Sequence, residues 1–207
     1  TLHAVTALDG GRVWAVGDGA VCECAAGRCG CEASLRYVAT PGEEARELSF
    51  RTVAAADSRG QPAVWASGDL GATSYLVRRS ETGWRGAQAR LLAGVPQGAR
   101  IEALDAGAAD DVWAVSVCRP FREPDRGVTI VSWFRGDFDP VDDRIPAREA
   151  MVLSVPVHDV QVRSNGNERA VWLAGDWSTL LSLRYRPGEP PPAADPPAVD
   201  LRCAPVP

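Results

Sequence analysis

Four copies of one phrase restrict what this chain can fold into more than any other feature. "GRVWAVGDGA" at 11–20 returns as "PAVWASGDLG" (62–71), "DDVWAVSVCR" (110–119) and "RAVWLAGDWS" (169–178). The tryptophans Trp14, Trp65, Trp113 and Trp172 are thus 51, 48 and 59 residues apart. A second phrase precedes each: "LHAVTA" (2–7), "FRTVAA" (50–55), "IEALDA" (101–106) and "VHDVQV" (157–162). Turn-forming residues part the two, in "LDGG", "ADSRGQ", "GAADD" and "RSNGNE". A third segment follows in "SLRYVATPG" (34–42), "SYLVRRSETG" (74–83), "TIVSWFRGD" (129–137) and "TLLSLRYRPG" (179–188). A fourth is "ARELS" (45–49), "AQARLLAG" (87–94), "REAMVLSV" (148–155) and "AVDLRCAPV" (198–206).

Each unit therefore reads as four short strands, and no segment sustains a helical period. Repeats of this length with four strands apiece are the pattern of propeller blades. The expected fold is all-β: one β-propeller domain over 1–207, with four-stranded blades at about 1–49, 50–99, 100–155 and 156–207. A blade cannot bury both faces by itself, so the repeated tryptophans are expected in the core between neighbours. Two closures stay open, a ring of four blades or half of a seven- or eight-bladed ring. A Pro-rich segment at 186–197 precedes the last strand and is expected to be extended.

The phrase "VW(A/L)xGD" resembles the repeats of bacterial β-propellers in secreted and surface proteins. A looser likeness links it to BNR/Asp-box and photosystem-assembly-factor propellers, and "RSETGW" (79–84) is similar to an Asp-box without its Asp. The third unit departs, with Ser116-Val117 in place of Gly-Asp. The resemblance implies a non-catalytic binding or assembly module; it informs fold more than activity.

Composition removes several function classes. The net charge is −5 and the cationic residues are all Arg, with no basic block to neutralise phosphates, so no nucleic-acid partner is expected. No run of about 18 apolar residues exists, so no transmembrane segment is expected. The opening "TLHAVTALDG" starts directly on a strand pattern without a Met or a leader, as a mature or truncated chain would. Six cysteines, an even number, favour an oxidising, extracytoplasmic compartment.

If the repeats form the scaffold, function is expected where they depart from one another. Units one and three carry extra residues between second and third strands, read as loops 19–33 and 117–128 on a common face. The first, "CEC-AAGR-CGC", reads as a hairpin with Cys24 opposite Cys29 and Cys22 opposite Cys31. Two cross-strand disulfides are the favoured reading, with other pairings through Cys118 or Cys203 left open. The alternative is a tetrathiolate zinc or iron–sulfur site on Cys22, Cys24, Cys29 and Cys31, for which C-x-C spacing suits less well than C-x-x-C. "CRPFR" (118–122) matches the formylglycine pattern of sulfatases, but their Asp, Asn and His metal cluster is missing.

Candidate partner-binding residues on the two loops and beside them are Arg28, Arg119, Phe121, Arg122 and Trp177; Trp84 also breaks the repeat and reads as exposed. His3, Arg51, Glu102 and His158 begin the first strand of each unit, and would ring the mouth of a central channel. Asp18, Asp69 and Asp176 read as structural turn residues. The leading expectation is a non-enzymatic extracytoplasmic scaffold, without a cofactor, that binds a protein partner, further blades or itself. The alternatives are a glycan-binding, lectin-like propeller and a metal-dependent, hydrolase-like propeller working at the channel mouth.

Overall fold

A computed structural model describes residues 1–37, 44–58, 61–71, 73–79, 84, 90–91, 98–108, 111–119, 127–135, 147–176, 178–186 and 189. The described residues hold strands and no helix, arranged as four antiparallel sheets in chain order, none of them closed into a barrel. Sheet I contains β1 (Leu2–Leu8), β2 (Arg12–Gly17), β3 (Ala20–Ala25) and β4 (Arg28–Ala33). A two-stranded ribbon, β5 (Arg36–Tyr37) with β6 (Arg46–Glu47), leads out of it. Sheet II runs β7 (Ser49–Ser58), β8 (Gln61–Leu70), β9 (Thr73–Arg78) and β10 (Arg90–Leu91). Sheet III runs β11 (Arg100–Ala108), β12 (Asp111–Cys118), β13 (Val128–Arg135) and β14 (Ala147–Leu153). Sheet IV has β15 (Val157–Asn165), β16 (Glu168–Gly175) and β17 (Leu180–Tyr185).

Strand alternation gives each sheet two faces. The front face carries the repeated tryptophan and packs on the back face of the next sheet. Trp14, Val16 and Val21 of sheet I meet Phe50, Val53 and Val64 of sheet II. Trp65 and Leu76 meet Ile101, Leu104 and Val112 of sheet III. Trp113, Val115 and Val131 meet Val157, Val160 and Val171 of sheet IV. Three apolar seams therefore hold the four sheets in a row, and the first strands β1, β7, β11 and β15 are successive neighbours.

The Gly of the repeated Gly-Asp pair has a steric cause. A side chain at Gly17 or Gly175 would collide with the carbonyl of Thr1 or Pro156, where the first strand crosses closest. That crossing is made tight by a β-bulge at the same register in every sheet. His3, Arg51, Glu102 and His158 are the extra residues of the four bulges.

Residues 19–33 are not a loop, which corrects the sequence reading. After the Asp18-Gly19 turn the chain pairs directly with β2, and the cysteine hairpin forms the third and fourth strands of sheet I. The hairpin closes through Ala26 (φ 50°) and Gly27 (φ 75°), the twin positive φ values of a two-residue turn that continues the strand twist. Of the segment at 34–42, expected to be the third strand, Arg36–Tyr37 instead form the ribbon and residues 38–42 lie outside the described residues. Leu35 and Leu48, which flank the ribbon, are buried in the first seam. A second correction concerns Trp172, expected in the core but 40% exposed, with no further sheet over it among the described residues. Trp84, expected at the surface, is buried against Phe50 with ring centroids 6.2 Å apart.

Candidate functional site

The bulges aim their side chains at the Gly-Asp carboxylates. His3 Nε2 lies 3.4 Å from Asp18, and His158 Nε2 lies 3.1 Å from Asp176. Arg51 pairs with the buried Asp69, which also accepts from Ser74 and has Arg100 at 3.3 Å. In the third unit, Val117 stands where the carboxylate would be, and the bulge residue is Glu102, an acid, not a base. Three of the four bulge residues thus face an aspartate of their own sheet, and His3 also places Nδ1 2.7 Å from the Phe50 carbonyl of sheet II. Among the described residues no group of three or more His, Cys, Asp or Glu is placed to share a metal ion.

An open cavity of about 610 Å³ is lined by all four first strands, downstream of these bulges. Its wall carries Asp9, Asp57, Asp105, Asp159 and Arg163 among small apolar residues. Asp105 accepts the amide of Val162 at 2.6 Å and that of Ala106 at 2.9 Å. Burial pushes its carboxyl above the ordinary aspartate range against the pull of both amides. Those bonds commit the side chain to the seam between sheets III and IV.

The same seam holds a buried hub that sequence reasoning missed. Asp111 accepts from Trp113 Nε1 (3.2 Å), Trp133 Nε1 (2.8 Å) and the Tyr185 hydroxyl (2.7 Å), and Arg169 lies 2.8 Å away. Burial, then the facing Asp111 carboxylate, holds Tyr185 protonated well beyond the usual phenol range. A signal existed in the repeat: two residues before the tryptophan the units read Arg12, Ala63, Asp111 and Ala170. An acid at a covered position needs buried donors.

Arg28 of the predicted partner-binding set lines a cleft of about 440 Å³ with Glu23, Glu32 and Trp84, along the outer edge of sheet I. Arg119 is exposed after β12. Phe121, Arg122, Trp177, Cys203 and the Pro-rich segment from 190 lie outside the described residues. Disulfides join Cys22 to Cys31 and Cys24 to Cys29, each with Cα atoms 4.0 Å apart, so these four sulfurs are not thiolates available to zinc. Cys118 is also disulfide-bonded.

The two end faces of the row differ most from the rest of the molecule. Four large apolar side chains are exposed among the described residues: Leu2 (68%), Val5 (67%), Leu180 (63%) and Trp172. Strand register gives each of them three buried counterparts. Leu2 corresponds to Phe50, Ile101 and Val157, and Val5 to Val53, Leu104 and Val160. Leu180 corresponds to Val21, Leu76 and Val131, and Trp172 to the other repeated tryptophans. The first pair lies on the back of sheet I, the second on the front of sheet IV. What is exposed here therefore has the residue types and register positions of the two sides of the covered seams. No helix among the described residues is long and apolar enough to cross a membrane. No protein-family model matches the chain, and comparison with curated proteins gives no match.

Proposed function

We propose that this chain is an arc of propeller blades of the kind its "VWAVGD" repeat resembles, and that it works as a non-enzymatic, extracytoplasmic scaffold for protein assembly. The observation that carries this reading is the pair of uncovered end faces. Exposed apolar patches of seam type mark protein interaction sites, because leaving them in water forfeits the burial that their counterparts gain. The disulfides support an oxidising location, since a reducing cytosol would not keep them. The assembly surface of this reading is the back of the cysteine-braced sheet and the front of sheet IV.

The lectin-like alternative calls for aromatic side chains exposed in each gap between blades. Trp84 is buried in a seam, Trp172 is the one repeat tryptophan exposed among the described residues, and Trp177 lies outside them. The hydrolase-like alternative calls for convergent groups at the channel mouth, where His3 and His158 each face an aspartate of their own sheet.

Radical footprinting of the native protein tests the reading. Protein assembly protects Leu2, Val5, Trp172 and Leu180 relative to the denatured chain. Full labelling of all four in every native preparation, together with hits on a glycan array, would replace the scaffold by the lectin.

A further inference from the structure

We infer that the missing partner of both end faces is a second copy of this chain, bound head to tail: the front of sheet IV in each copy covers the back of sheet I in the other. The inference rests on the scaffold reading and names its partner. Three covered seams show what a front face accepts, namely the back of a sheet of the same repeat, its Trp set against a row of small and branched apolar residues. The chain itself presents one uncovered example of that back face. Because the open halves are different surfaces, one copy cannot meet another through a shared patch. Two copies satisfy both halves at once and close a ring of eight sheets, whereas a pairing that fails to close would propagate as a filament.

The composition of the two faces fits. Across the back of sheet I run three cross-strand rows: Leu2, Gly17, Ala20 and Ala33; Val5, Ala15, Cys22 and Cys31; Ala7, Val13, Cys24 and Cys29. None of these twelve positions is charged or carries a side-chain hydroxyl or amide. Both disulfides fall on this face, in the outer places where sheet II sets Val77 and sheet III sets Phe134. They supply apolar bulk at the height where a neighbouring sheet packs.

Polar register agrees as well. In the seam between sheets II and III the Ser74 hydroxyl accepts the Ile101 amide at 3.2 Å; between III and IV, Thr129 Oγ1 accepts the Val157 amide at 2.9 Å. Counting two residues back from Leu180, as Ser74 stands from Leu76 and Thr129 from Val131, reaches Ser178, in the turn that leads into β17 (φ 60°). Ser178 is exposed. The amide it would accept in a fourth seam is that of Leu2, the counterpart of Ile101 and Val157.

Sedimentation of the full 207-residue chain over a dilution series tests the inference. The expected particle has about twice the 22.0 kDa chain mass and dissociates reversibly. Leu180→Glu on one face and Val5→Arg on the other each give monomers at concentrations where the natural chain is paired. Both positions are exposed, so circular dichroism unchanged from the natural chain confirms that the variants fold. Mixing the two variants restores a particle with one chain of each, because one seam is then natural and the other opposes Glu to Arg. Failure of the mixture to pair overturns the head-to-tail arrangement, as does pairing that survives either substitution. A natural chain that stays monomeric at every concentration overturns the second copy as partner and leaves the faces to further sheets or to another protein. That result is separable from failure of the scaffold reading, which the footprint of the same four residues reports.

Discussion

Trp113 and Trp172 hold the same place on adjacent sheets, yet one is fully buried and the other 40% exposed. The indole of Trp113 lies 5.5 Å from the Tyr185 ring and donates into the Asp111 hub; that of Trp172 faces outward beside Leu180. The same repeated Val-Trp pair therefore has two energetic meanings, and the presence of a following sheet decides between them. The comparison breaks most sharply by truncation. Trp113→Ala should cost about 3–5 kcal/mol, the range for emptying an aromatic core site. The same change at Trp172, measured in the Leu180→Glu background so that association does not contribute, should cost less than about 1 kcal/mol. Urea midpoints of the two variants check this, and equal losses would mean that Trp172 is covered within its own chain.

The hub sharpens the same contrast one step down. Asp111→Ala removes the acceptor of two indoles and a phenol and strands the Arg169 guanidinium in a seam where its side chain is only 14% exposed. A loss of about 3 kcal/mol is expected, most of it from leaving buried groups unpaired. Arg12→Ala, at the matching place on sheet I, should be nearly neutral because Arg12 is exposed. Thermal unfolding of both variants decides whether the hub or the repeat position carries the energy.

Smaller again is the effect of the disulfides on the uncovered face. Replacing Cys22 and Cys31 by Ser opens a loop with a sequence separation of 9 and should cost about 2 kcal/mol on loop-closure grounds. With no sheet packed over it, the consequence should stay local. Amide exchange should quicken through β3 and β4 while the sheet III–IV seam keeps its protection. Uniform loss of protection would show that the hairpin supports the whole row.

Much of the scaffold was legible because repetition supplies its own alignment. The Val-Trp phrases and the phrases before them pinpointed the first two strands of every sheet, and alternation with Gly and Asp turns indicated an all-β chain. The cysteine segment was readable as a hairpin, but not as half of sheet I. There the eye follows Cys spacing, while the chain follows the inward pair Val21 and Glu23 that alternates with it. The end faces were illegible in principle. Leu2, Val5 and Leu180 have the residue types of core positions, and burial depends on a neighbour that no local pattern encodes. Asp111 was a missed departure of the opposite kind, visible as an acid among Arg12, Ala63 and Ala170, but without a named function until Trp133, Tyr185 and Arg169 converge on it.

The smallest effect separates the sheet III–IV seam from the others by pH. Asp105 is half-buried at the cavity wall, and the burial pushes its carboxyl above the ordinary aspartate range. At the corresponding place sheet I has Thr6 and sheet II has Ala54, neither of which ionises. A raised carboxyl pKa means that the folded chain keeps a proton that the unfolded chain has already released. Stability from this group is then complete below the unfolded value, declines as pH climbs toward the folded value, and is gone above it. Asp105→Asn keeps an oxygen to accept the Val162 amide and removes the charge. Its urea midpoint should therefore lose this component of the acid-side slope, and the natural chain should gain on it as pH falls through the carboxylate range. Parallel profiles for the two proteins would show that the Val162 and Ala106 amides already compensate the charge of Asp105.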